Sequence, residues 1–244
     1  MFSLFSCINP RNHSLRISVQ SVLTTERQNT EEWRMAALTE STIHQALDWA
    51  YDKAVNGVPG LDSAVELAAE YAKQDGTLYD QANALIRWQI AKCATSGFVT
   101  GLGGLMTLPV AIPANITSVL YVQVRMIAAL AHLGGHDIKD DRVKTLVYTA
   151  LCGNAALPVL KEIGVKVGTK VTQKMIQSIS REVIISINKT VGFRLLTKFG
   201  STGVINLGKA IPLVGGIVGG TVDGVATNTI GNVARDLFIA QQTA

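Results

Sequence analysis

The chain has 244 residues, 48% of them hydrophobic but only 16% charged, with a net charge of +4 at pH 7. That length accommodates one large domain or two small ones with a sizeable core, and the shortage of charge suits closely packed helices. Cys7, Cys93 and Cys152 are scattered and odd in number, so they show neither a disulfide framework nor a CxxC pair, and a reducing compartment follows.

The first segment, residues 1–37, reads as a leader. Met1 to Thr30 carries Ser3, Ser6, Ser14, Ser18 and Ser21 with Arg11 and Arg16, and no acid before Glu26. It has no continuous apolar core of the secretory kind. It is either a disordered leader, faintly like an organelle transit peptide, or an upstream extension with Met35 as an alternative start. A single helical domain is expected over 38–240, with a short tail at 241–244.

From Leu38 onward the pattern is helical. Ile43, Leu47, Ala50, Tyr51 and Ala54 recur at helical spacing, and Gly57 is a natural stop. Ser63 and Glu66 form a capping box for a helix with Leu67, Ala68 and Tyr71, which Gly76 ends. A third helix begins near Tyr79 and carries Leu85, Ile86, Trp88 and Ile90.

No charged residue then occurs between Lys92 and Arg125. The interval is long enough to enter a bilayer, where a span needs about 20 apolar residues. Gly97, Gly101, Gly103, Gly104, Pro109 and Pro113 punctuate it, so it reads as a hairpin of two apolar helices. The second arm starts near Pro113, continues through Val119, Leu120, Val122, Met126, Ile127 and Leu130, and stops at Gly134 and Gly135. Such a hairpin either meets the membrane or forms a protein core. Asn115, Gln123 and Arg125 are candidate buried polar residues on this arm; the plain alternative for Arg125 is a side chain that snorkels to solvent.

Asp140 or Asp141 caps the next helix, with Val143, Leu146, Val147 and Leu151 inside, and Pro158 interrupts. From Leu160 to Phe199 two amphipathic helices carry a basic block: Lys161, Lys166, Lys170, Lys174, Arg181, Lys189, Arg194 and Lys198 face only Glu162 and Glu182. A basic block serves nucleic acid or an anionic membrane surface. The lack of interleaved aromatics favours the membrane, with Lys166, Lys170 and Lys174 as candidate headgroup contacts; the plain alternative is a solvated helix face. In the last element Gly216, Gly220 and Gly224 fall four apart and are candidate helix-packing positions.

No catalytic constellation appears. The stretch Gly203–Ala210 nearly matches a phosphate loop, but Ala210 replaces the hydroxyl that would hold magnesium and no strand precedes it. Gly101 to Gly104 lack the strand and acid of a dinucleotide fingerprint. His132 and His136 have zinc spacing but are separated by Gly134 and Gly135, and no third ligand is evident. No cofactor or metal is therefore expected, nor an enzyme.

Three blocks, residues 85–137, 143–156 and 191–224, resemble the EcsC-like family of bacterial proteins. The resemblance implies no settled activity and no catalytic residues. It implies association with components of an ABC transport system, hence a membrane partner. The expected fold is all-α: a compact multi-helix bundle with a central apolar Gly/Pro-containing helical hairpin and a glycine-rich C-terminal helix. The expected function is that of a non-catalytic membrane-associated helical protein, accessory to a membrane transporter, on the cytoplasmic face. Its expected partners are the anionic membrane surface and ABC-transporter components, without nucleic acid. The competing readings are a soluble all-α interaction module with the hairpin as its core, and an enzyme or lipid carrier with a pocket near Asn115, Gln123, Arg125 or Asn206.

Overall fold

The computed structural model describes residues 39–94, 114–162, 164–165, 170–207 and 215–239. The chain divides into two units after Leu38, and these residues all belong to the second. The protein is all-α, and among the described residues the β pairing amounts to one isolated bridge, Val58 to Leu61, in a turn.

Helix α1 (Glu40–Asn56) starts from a reciprocal cap between Thr39 and Thr42. It buries Ile43, Ala46, Leu47, Ala50, Tyr51 and Ala54 on one face. Gly57 stops it at φ 82, a left-handed conformation that suits glycine, and its N–H donates to the Lys53 carbonyl. Helix α2 (Ala64–Ala72) carries the expected Ser63–Glu66 capping box. It ends at Lys73, ahead of Gly76. Helix α3 (Leu78–Ala94) opens on a similar exchange between Thr77 and Asp80. It buries Leu85 and Ile86, whereas Trp88 is 53% exposed.

Helix α4 (Ala114–Leu133) is the centre of the fold. Every residue from Leu120 to Ala131 is buried, and α1, α2, α3, α5 and α9 all pack against it. Burial on all sides selects uncharged side chains, which suits the run from Ala114 to Val124, and Arg125 is the exception. From Leu120 to Ala131 the second arm of the expected hairpin is thus buried against other helices of the chain. The first arm, with Gly101 to Gly104, lies at 95–113, outside the described residues. Among the described residues no helix is long and apolar enough to cross a membrane.

Helix α5 (Asp141–Ala150) is capped by Asp140, whose carboxylate accepts from the Arg142 N–H. The chain breaks at Leu151 and Cys152 and makes a 3₁₀ turn at Gly153–Ala155 before α6 (Ala156–Glu162). Pro158 therefore sits in the first turn of α6, where a missing N–H costs no bond, and does not cause the interruption. Helices α7 (Gln173–Gln177), α8 (Arg181–Leu207) and α9 (Gly215–Phe238) follow.

Helix α9 lies antiparallel on α3. Gly224 faces Ile90 and Gly231 faces Ile86, while Arg235 donates to Asn83 and stacks 4.2 Å over the Tyr79 ring. A Cβ at Gly231 would fall 2.8 Å from Ile86 Cγ2, so the Ile86 side chain packs directly on the glycine because no side chain of α9 stands in its way.

Candidate functional site

Arg125 is 1% exposed and is the largest fully buried side chain among the described residues. The solvent-reaching alternative therefore does not hold. Nη1 donates to the Asp62 carbonyl at 3.0 Å, and Nη2 reaches Gln89 Oε1 at a long 3.4 Å. Its guanidinium lies 5.6 Å from the Tyr121 ring centroid, one turn back on the same helix. Among the described residues no carboxylate is within ion-pair reach of it.

Three buried polar atoms around this guanidinium lack hydrogen-bond partners: Arg125 Nε, Gln89 Nε2 and the Tyr121 hydroxyl. Burial raises the Tyr121 pKa and the neighbouring Arg125 charge opposes the rise, so the phenol stays protonated at neutral pH. Trp49, Val58 and Leu61 pack beside Tyr121 and keep its surroundings apolar. Two residues from Arg125, on nearly the opposite side of α4, Gln123 donates to Thr227 of α9 at 3.1 Å. Arg125 and Gln123 are thus both buried but face different neighbours, while the side chain of Asn115 lies outside the described residues. Gln89 and Tyr121 were not singled out from sequence. Gln89 could have been: it follows Leu85 and Ile86 by four and three residues, on the core stripe of α3.

Lys170 and Lys174 do not share a helix. Lys170 lies in non-helical backbone before α7, and its ammonium donates to the Gly134 carbonyl at 2.9 Å. Thr172 caps α7, so Lys174 is on that helix and exposed. Lys166 lies outside the described residues. The spacing of four is therefore not carried by one helix, because the N-cap falls between Lys170 and Lys174. Gly216 and Gly220 lie in α9, but only Gly224 has described surroundings. Residues 203–207 continue α8 as helix, which removes the phosphate-loop reading.

His136 is buried beside Phe238, and neither ring nitrogen has a hydrogen-bond partner; His132 is exposed. Burial first, then the Lys170 charge, lowers the His136 pKa, and the nearby Phe238 carbonyl opposes them weakly. No three-ligand metal cluster occurs among the described residues. The Cys152 thiol is pushed up to about 11, chiefly by burial, so thiolate is scarce at neutral pH. Between α1 and α5, Tyr148 donates to Asp48 at 2.9 Å and Lys144 pairs with the same carboxylate at 2.7 Å, a cross-brace between the two helices.

The profile of the EcsC protein family matches residues 18–239. The chain belongs to the EcsC family. The match starts inside the segment read from sequence as a leader, so the EcsC pattern reaches upstream of Met35. No curated protein and no solved structure matches this EcsC protein.

On its surface, α8 presents Arg181, Ile185, Lys189 and Phe193 at four-residue intervals, all exposed, with Ile185 and Phe193 each at 61%. Residues four apart share a helix face, so basic and bulky apolar side chains alternate along one stripe of the EcsC bundle, and Phe193 places an aromatic within the basic block, contrary to the expectation from sequence.

Proposed function

We propose that this EcsC protein is a non-catalytic, peripherally membrane-associated helical protein that docks on the anionic cytoplasmic face and serves a membrane transporter as an accessory. The α8 stripe carries the reading. Ile185 and Phe193 offer apolar side chains for the headgroup boundary, and Arg181 and Lys189 offer charge for anionic lipid. The family resemblance supports ABC-transporter components as the protein partner. Docking through α8 leaves α4 in its core and requires no spanning helix.

Cosedimentation with vesicles tests this. Vesicles of phosphatidylcholine with phosphatidylglycerol should retain the protein, and pure phosphatidylcholine should not. Lys189→Glu should weaken retention about fivefold or more, since each basic residue near such a surface contributes about 1 kcal/mol. Phe193→Ser should weaken it as well. Equal binding to neutral vesicles, or none to either, would sink the reading.

A further inference from the structure

The unpartnered atoms around Arg125 are all potential donors. Arg125 Nε and Gln89 Nε2 can only donate, and the Tyr121 hydroxyl is protonated. The Gln89 amide cannot be turned to help, because Nε2 would then face the Nη2 donor that Oε1 now accepts from. What the cluster lacks is an acceptor. A single water could accept two of these bonds and donate to the Tyr121 or Gln89 oxygen, but it would leave the third donor unmet and bring no charge to balance the guanidinium. An oxyanion fits better, being acceptor-only and matching a positive charge that no carboxylate among the described residues approaches within ion-pair distance. The free edge of the guanidinium also has the right shape. Nη1 is engaged by Asp62, while Nε is free and Nη2 only loosely held, and the Nε–Nη2 edge is one that grips carboxylates and phosphates through two parallel bonds.

We propose that Arg125, Gln89 and Tyr121 form a buried binding site for a single oxyanion group, a carboxylate or a phosphate, independent of the α8 surface. The guanidinium edge holds two oxygens, and the Gln89 amide and Tyr121 phenol donate to them from the flanks. Trp49, Val58 and Leu61, partly buried beside Tyr121, lower the local polarity and strengthen each bond.

The full chain, labelled with ¹⁵N-arginine, would be titrated with acetate, inorganic phosphate and decanoate while the Nε–H resonances are followed. Native mass spectra of the same preparation would show any anion already carried. The expected result is a saturable shift of the Arg125 signal with at least one probe, or a bound mass that the Arg125→Met variant loses. Preference for acetate, phosphate or decanoate separates a small carboxylate, a free phosphate and an aliphatic acid. Arg125→Met can fail to fold, so Gln89→Leu and Tyr121→Phe provide the second arm. Each removes one donor to a charged group and should weaken binding about tenfold. Neither a shift nor a bound mass in the wild type would overturn the site, as would wild-type affinity in both conservative variants.

Discussion

Arg125 and His136 are buried for different reasons and should respond differently to solution conditions. Burying a lone guanidinium costs several kcal/mol, and its carbonyl, amide and ring contacts offset only part of that. Leu120, Met126, Ile127 and Leu130 on the same helix are fully buried at roughly 1.5–3 kcal/mol each, which outweighs the cost. The core can therefore tolerate an unpaired charge that contributes no stability itself. His136 is held neutral instead. Its folded pKa is lowered, while the unfolded chain protonates at about 6.5. Above that pH the ring is neutral in both states and pH has no leverage through it. Below it the unfolded chain takes a proton that the folded ring refuses, so stability falls until the lowered folded pKa is passed. Urea unfolding at pH 7.5 and 5.5 should show a smaller acid loss for His136→Leu than for the wild type. The same loss in both would remove His136 as a source of acid sensitivity.

At the scale of helices, the α3–α9 contact depends on one glycine more than on another. Gly231→Ala places a methyl 2.8 Å from Ile86 Cγ2 and 3.0 Å from Cγ1, atoms of a stiff β-branched side chain. It should destabilise by about 1–3 kcal/mol. Gly224→Ala meets Ile90 at an ordinary 3.6 Å and should be neutral or stabilising by up to about 1 kcal/mol, the helix preference of alanine over glycine. Thermal melts of both variants, and of Gly231→Ala with Ile86→Ala, check this; in the double variant the alanine penalty should shrink. Gly231 was not legible in the sequence because it lies outside the four-residue ladder of Gly216, Gly220 and Gly224. Local chemistry was legible: Ser63 with Glu66, Gly57 and Asp140 act on backbone groups within a few residues. Spacing misled at Lys170 and Lys174, where Thr172 starts a new helix between them. The environment of α4 could not be read from its residues, since lipid and a protein core select the same uncharged side chains. Gln89 and Tyr121 acquire their roles only when α3 and α4 are brought together.

Across the whole molecule, α4 sits inside and the basic-apolar stripe of α8 sits outside, so the core and the proposed membrane contact do not compete for the same residues. The interlocking of α3 and α9 also governs the order of assembly. Arg235 and Asn83 are 152 residues apart, so joining them closes a very long loop, and contacts of that separation form slowly. Val171 likewise waits for Leu237, to whose carbonyl its N–H donates at 2.8 Å. During synthesis, the faces of Ile86 and Ile90 that meet Gly231 and Gly224 therefore stay uncovered by α9 until its residues have been made. Pulsed hydrogen exchange during refolding should find α1 and α2 protected before α9, and simultaneous protection would mean that the bundle closes in one step. A ribosome carrying this chain thus holds an open apolar seam for most of the time it takes to make the protein, and the nascent chain is most prone to aggregate in that interval.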